Sequence, residues 1–287
     1  MQRRDFMKTM GASALLSSVA ANAAPAQKRI GIQLYTVRDA IGKELVKTLE
    51  SVAKVGFKEV ELAGYGDGKF YGKQVSEFKK ILNDLGLSVP SGHYTTGAHD
   101  KNLKGTLNND WERAVANAAE LGQKYVVCAY LFPNERTKLD DYKAHAELFN
   151  KSAEVAKKSG LQFCYHNHDF EFMALDGQMP YDYLLANTDK NLVKMELDLY
   201  WITKAGQDPI AYFKNNPGRF PLWHVKDMDK TDQTFAEVGT GSIDFAKIFA
   251  QRKTAGLAHY FVEQDVCKRP PLEAIEISFK NLNGMKF

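Results

Sequence analysis

From residue 30 onward the chain alternates short runs dense in Val, Ile, Leu, Phe and Tyr with longer amphipathic stretches, and it does so eight times. The short runs are Ile30–Leu34, Lys58–Leu62, Ser88–Gly92, Tyr125–Ala129, Gln162–Tyr165, Val193–Leu197, Leu222–Val225 and His259–Glu263. None alternates strictly between apolar and polar residues, which suits parallel strands covered on both faces. The intervening stretches carry apolar residues at three- and four-residue spacing, as in Leu45, Leu49, Val52, Ala53 and Val55, or Leu148, Ala153, Val155 and Ala156. Gly56, Gly86, Gly122 and Gly160 each close such a stretch just before the next strand, the place of a helix-terminating glycine. Repeated βα units build a parallel sheet. Eight of them, with no G-x-G-x-x-G after the first strand, favour closure into a single (β/α)8 TIM barrel of the α/β class over an open nucleotide-binding sheet. No Pro-, Gly- or Ser-rich linker interrupts the repeat, so residues 27–287 are expected to form one catalytic domain.

The first 26 residues differ from the rest. A basic start containing Arg3, Arg4 and Lys8 leads into a moderately apolar stretch from Met10 to Ala21, followed by small residues up to Ala26. Adjacent arginines followed by Asp-Phe-Met-Lys resemble a twin-arginine export signal, which is read as an address and not as an anchor. The apolar run is too short and too interrupted to span a bilayer. The expectation is a mature periplasmic protein with no permanent membrane anchor.

Charge narrows the partners. The formal net charge is +3, from 38 basic and 35 acidic residues, and part of the excess lies in the export segment. With no Lys/Arg run and no basic stripe, nucleic acid is excluded as a partner. The three cysteines, Cys128, Cys164 and Cys267, show no C-x-x-C spacing and are read as free thiols without a role in the chemistry.

The chemistry lies at the strand ends. In a barrel of this kind the C-terminal ends of the strands carry function, and six of these eight ends bear acids or imidazoles. The second ends near Glu61 and the third reaches His93. The fifth runs into His166-Asn-His-Asp-Phe-Glu171, and the sixth carries Glu196 and Asp198. The seventh ends in His224-Val-Lys-Asp227, and the eighth in Glu263-Gln-Asp265. Carboxylates that converge on one mouth repel unless a cation neutralises them, so a bound divalent ion is the simplest physical remedy. Mixed carboxylate and imidazole ligands suit Mn, Zn, Co, Fe or Mg, and the ligand types do not choose among these.

Five phrases make a resemblance specific: Gly56-Phe-Lys-Glu-Val-Glu-Leu62, Tyr165-His-Asn-His-Asp-Phe-Glu-Phe172, Glu196-Leu-Asp-Leu-Tyr-Trp201, Trp223-His-Val-Lys-Asp-Met228 and Gly239-Thr-Gly-Ser-Ile-Asp-Phe245. Together they resemble the sugar phosphate isomerase/epimerase family of xylose-isomerase-like TIM barrels, over nearly all of the chain after Ala26. In that family a Glu on the fifth strand, an Asp on the sixth, a His on the seventh and a Glu on the eighth hold the metal. Carried over, the last three imply Asp198, His224 and Glu263. The fifth position departs from the pattern, with His166 as first choice and His168, Glu196 and Glu171 as alternatives. The resemblance further implies Glu263 as ligand and base, His168 or Lys226 as acid, and Glu171 at substrate hydroxyls. His93, Trp201 and Glu61 are assigned to substrate contact. The aromatics near the strand ends, Tyr35, Tyr130, Tyr200 and Trp201, are candidates to stack on a sugar ring; most are read as barrel packing, Tyr200 among them, and Trp201, just after Asp198, is the better placed. Gly239-Thr-Gly241 is read as a tight loop into the last helix but one, not as a phosphate site.

These assignments imply proton abstraction beside a carbonyl, with the metal polarising the oxygen and a carboxylate taking the proton. The expected activity is a sugar or keto-sugar isomerase or epimerase passing through an enediolate. Because His166 replaces one of the two glutamates, a one-base lyase or hydratase acting on 3-keto-glycosides is the alternative. A non-catalytic sugar-binding barrel is the alternative from another class. The sequence leaves homo-oligomerisation open.

Overall fold

A computed structural model describes residues 28–287; the expected export segment lies outside them. Eight parallel strands close on themselves: β1 Gly31–Gln33, β2 Glu59–Leu62, β3 Ser88–Tyr94, β4 Tyr125–Cys128, β5 Gln162–His166, β6 Val193–Asp198, β7 Leu222–Val225 and β8 His259–Val262. Each pairs with its sequence neighbour, and β8 pairs with β1 through Gly31↔Phe261 and Ile32↔Val262. The eight expected runs are these eight strands, with shifted ends. β3, β5 and β6 run further than expected, so His93, His166 and Asp198 stand on regular ladder positions, paired across to Val127, Glu196 and His224. β1 is shorter, because Leu34–Val37 turns into a 3-10 helix whose start is capped by the Gln33 side chain.

Among the described residues ten α-helices surround the barrel: α1 Arg38–Val55, α2 Val75–Asp84, α3 Trp111–Leu121, α4 Leu139–Lys158, α5 Pro180–Asn187, α6 Leu199–Lys204, α7 Pro209–Asn215, α8 Phe245–Phe249, α9 Arg252–Ala255 and α10 Pro271–Gly284. None is long and apolar enough to cross a membrane. The glycines at 56, 86, 122 and 160 all take positive φ, as expected of helix ends. The loop Gly239-Thr-Gly241 leads into two short helices, α8 and α9, where one had been expected. Its amides wrap an internal carboxylate: Gly239 N and Gly241 N donate to Asp227 Oδ2, and Met228 N and Ile243 N to Oδ1. A Cβ on Gly241 would lie 2.2 Å from Asp227 Oδ1, so only glycine lets the backbone come this close.

Because side chains alternate across a strand, each strand sends one set outward and the other into the barrel. Val60, Val126, Phe163, Met195, Leu197, Trp223 and Val262 face outward into the main core beneath the helices. Inside, the lower end holds Glu59, bonded to Arg29 and His259. Above it Val127, Cys164, Leu222 and Phe261 form a separate apolar layer. Polar side chains fill the upper two layers, first Gln33, Glu61, His93, Glu196 and His224, then His166, Asp198, Lys226 and Glu263. The apolar layer seals the polar end from below, which is why the site opens at the C-terminal face only.

The fit of that layer is tight at Gly31, where an added Cβ would approach Phe261 Cδ1 to 2.4 Å. Gly31→Ala is expected to destabilise the barrel by about 1–3 kcal/mol through overpacking, measured by urea unfolding. Adding Phe261→Leu should recover part of that loss; simple additivity of the two changes would show that the contact is not the cause.

Candidate metal centre and cavity

The ligand atoms of His166, Asp198, His224 and Glu263 all lie within 4.8 Å of one another, and all four residues are buried. They come from the ends of β5, β6, β7 and β8, four successive strands of the closed barrel. Local structure orients each one. His166 Nδ1 faces the Ala129 carbonyl at 3.0 Å; a carbonyl only accepts, so Nδ1 carries the proton and the lone pair of Nε2 points at the cluster, 3.3 Å from Asp198 Oδ2. Asp198 caps α6, its Oδ1 accepting from Tyr200 N and Trp201 N at 2.9 Å, which leaves Oδ2 free to turn inward. Its own amide donates to Asn167 Oδ1. His224 Nε2 is held by Glu61 Oε2 at 2.6 Å, so that Nδ1 faces Glu263 and Asp198.

This donor set fits a divalent cation. His224 Nδ1 and Glu263 Oε2 approach to 2.6 Å, yet neither makes an aligned hydrogen bond. Buried polar atoms normally find partners, and two that converge without an aligned bond between them fit a metal site. Lys226 stands beside them as a fixed cation, 3.0 Å from Asp198 Oδ2, 2.8 Å from Glu263 Oε2 and 2.9 Å from Asp265 Oδ2.

The electrostatics agree. Burial alone raises the Glu263 carboxyl, but Lys226 and His224 overcome it and hold the group well below the usual range. Burial likewise opposes charge on His224, yet Glu196, Glu263 and Glu61 keep it protonated far above its ordinary value. His93 and His166 go the other way, pushed down to about 4 chiefly by burial. His168 is likewise neutral, and burial is again the main cause.

A cavity of about 390 Å³ opens over the cluster, lined among others by His166, His168, Lys226, Glu263, Asp265 and Tyr130. Its apolar walls come from Tyr35, Tyr94, Phe132, Ala63 and Ala129. The residues expected at the substrate divide into two groups. His93 lines the cavity, as do Tyr35 and Tyr130. Glu61, Glu171 and Trp201 do not. Glu61 is wholly buried beneath His224. Trp201 lies behind His168, ring centroids 5.5 Å apart, with Lys226 Nζ 5.9 Å from its ring. Tyr200 is packed inside, its hydroxyl donating to Gln233 O. Sequence reasoning counted Asp265 among the converging strand-end acids without a role of its own, and gave none to Phe132 or Asn167. Phe132 stands on a loop with no periodic signal, whereas a fully buried Asn between two histidines was a signal that could have been read.

Glu171 is buried, accepts from the Tyr165 hydroxyl and from His168 N, and is pushed up to about 8 by burial. The sign follows from linkage: an acid whose pKa is raised on folding costs stability as pH climbs from its ordinary 4.5 towards 8. Glu171→Gln, which keeps an acceptor for His168 N, should therefore gain in Tm over wild type, and the gain should widen between pH 5 and pH 8. A gain independent of pH would mean that the carboxyl ionises normally.

Residues 49–282 match the family described as xylose isomerase-like TIM barrel. Among characterised relatives, an inosose dehydratase of Clostridium botulinum (strain Alaska E43 / Type E3) is 26% identical over 273 residues, covering 81% of this chain and 87% of its own length. An inosose dehydratase of Clostridium beijerinckii is 24% identical, covering 73% and 78%. Among solved structures, a sugar phosphate isomerase/epimerase from Parabacteroides distasonis superposes with a TM-score of 0.79 at 31% identity, covering 93% of this chain and 97% of its own. The IOLI protein, solved with a zinc atom, superposes at 0.69 over 89% and 96%, with 15% identity, a likeness of fold. On the barrel, its cluster of ligands and the match over most of its length, the chain belongs to the xylose isomerase-like TIM barrel family.

Proposed function

We propose that this protein is a divalent-metal-dependent enzyme that eliminates water or an alcohol from a keto-sugar or keto-cyclitol, using Glu263 as its single base. The observation that carries this reading is the asymmetry of the cluster. The cavity-facing carboxylates, Glu263 and Asp265, both follow β8, and the opposite position on β5 is an imidazole, His166. Exchange of a proton from two faces, as inversion of a stereocentre requires, has a carboxylate on one face only; an elimination needs one. Similarity to two inosose dehydratases supports the same direction.

A divalent ion held by His166, Asp198, His224 and Glu263 would supply Lewis-acid polarisation of the substrate carbonyl. Glu263 takes the proton from the carbon beside that carbonyl, and the electron pair forms the new double bond as the β-oxygen leaves. Lys226, the cation beside Glu263, delivers a proton to the departing oxygen, a role that His168, kept neutral by burial, does not fill. Lys226, fixed by three carboxylates, also opposes negative charge as it develops on the substrate. Because Lys226 and His224 hold Glu263 ionised, it is always ready to accept, but it is a weak base and relies on polarisation of the carbonyl to acidify the C–H. Tyr35, Tyr130 and Phe132 offer faces for the apolar side of a ring. Export through the residues around Arg3 and Arg4 belongs to the same reading, placing the enzyme in the periplasm.

A second reading, an isomerase or epimerase, is favoured by the 31% identity to the Parabacteroides protein. Incubation of metal-loaded protein with a 3-keto-glycoside and with a keto-cyclitol separates them: elimination yields an absorbing enone and a released aglycone or water, whereas isomerisation yields a rearranged sugar of unchanged mass. Glu263→Gln should lower kcat by about 10²–10⁴-fold, the range of general-base loss. Stripping the metal with a chelator should abolish turnover and lower Tm, since a ligand that binds only the folded state stabilises it. Binding that survives Glu263→Gln, with no turnover on either substrate with any metal, would mean a sugar-binding barrel instead.

A further inference from the structure

One layer below the rim a second group of donors converges. Glu61, His93, Glu196 and His224, from β2, β3, β6 and β7, offer ligand atoms within 4.8 Å of one another. Glu61 and Glu196 are wholly buried and His93 nearly so. The close pairs are His224 Nε2–Glu61 Oε2 at 2.6 Å, His93 Nε2–Glu196 Oε2 at 2.7 Å, His93 Nε2–Glu61 Oε2 at 3.3 Å and His224 Nε2–Glu196 Oε2 at 3.4 Å. Ligands around a tetrahedral ion with bonds near 2.1 Å stand about 3.4 Å apart. Two of the four separations already match, and the other two need to open by less than about 1 Å.

Two further observations point to a cation. The remaining oxygens, Glu61 Oε1 and Glu196 Oε1, are buried with no hydrogen-bond partner among the described residues. The charge of the barrel interior also does not balance with one ion. Glu61, Glu196, Asp198, Glu263 and Asp265 are five neighbouring acids, and the only side chain among them that is always cationic is Lys226. That lysine and one divalent ion at the rim offset three of them. The two left over are Glu61 and Glu196, wholly buried and facing the same two histidines.

We propose that Glu61, His93, Glu196 and His224 form a second divalent-metal site beneath the first, with His224 bridging the two ions as an imidazolate, Nδ1 to the upper and Nε2 to the lower. The proton on Nε2, which Glu61 accepts when no lower ion is bound, leaves to solvent as that ion enters. Imidazole with carboxylate selects a borderline cation of the Zn, Co, Fe or Mn class. Access runs past His93, whose side chain is 10% exposed and lines the cavity above.

The test is metal content. Protein stripped with a chelator and reloaded with Co²⁺ should bind two ions per chain by mass spectrometry of the element, with an EPR signal weaker than that of two isolated ions because the shared imidazolate couples them. The double variant Glu61→Gln/Glu196→Gln should bind one ion and give the uncoupled signal. Asp198→Asn/Glu263→Gln should also bind one, held by the lower site. Wild-type protein that saturates at one ion overturns the proposal, whatever becomes of the variants, and so does a second ion that Glu61→Gln/Glu196→Gln retains. Two ions in wild type with no loss in Asp198→Asn/Glu263→Gln would instead sink the upper centre on which the proposed function rests.

Discussion

Everything at the upper end of this barrel follows from crowding like charges where water cannot screen them. Side chains alternate across each strand, so the inward positions of neighbouring strands stack in layers. Glu196 and Asp198 stand two residues apart on β6, His224 and Lys226 two apart on and just past β7, and each pair spans two adjacent layers. Such an arrangement is unstable as a bare set of anions. The structure meets it with a fixed cation, Lys226, with an imidazole, His224, held between Glu61 and Glu263, and with donor atoms that converge as those of a metal site do.

The same crowding sets the chemistry. A carboxylate pinned between Lys226 and His224 stays ionised but is a poor base, so the reaction must be made easy on the substrate's side, by polarising a carbonyl. For the elimination proposed above, a keto group is therefore the natural requirement, since an unoxidised sugar presents no C–H acidic enough for such a base. His166 reinforces the point. Its Nδ1–H is committed to the Ala129 carbonyl and its Nε2 to the cluster, so it has neither a free proton to give nor a free lone pair to receive one.

Much of this was legible in the sequence, because the barrel repeats a local rule eight times. Strand ends of a parallel barrel converge, which singled out six ends bearing acids or imidazoles; the family resemblance then pointed to Asp198, His224 and Glu263 and left His166 as first choice among four for the remaining place, and the ligand atoms of these four lie together. What the sequence hid was depth. Glu61 and Glu171 read as substrate contacts since each is an acid near a strand end. One position along a strand decides between facing the cavity and lying a layer beneath it, and an acid beyond a strand end can fold back into the wall, as Glu171 does to meet Tyr165 and His168 N. Phe132 was hidden for the opposite reason: it lies on a loop, where no period predicts direction.

The lower layer shows why depth matters. Glu61 holds His224 by Nε2, and a carboxylate partner on the far nitrogen of a ligating imidazole fixes its tautomer and raises its basicity. An apolar residue at position 61, unlike Gln, which keeps an acceptor for Nε2, would leave His224 free to rotate and would weaken it as a donor, so the buried side chain serves the rim even with no ion of its own. Burying it nonetheless carries a desolvation penalty that a hydrogen bond from one histidine offsets only in part. Glu196 adds a second penalty of the same kind beside the first, and orienting His224 does not require it, since Glu61 already occupies Nε2. Two buried acids where one would do is the arrangement expected of a layer that binds a cation, not of one that only props up the layer above.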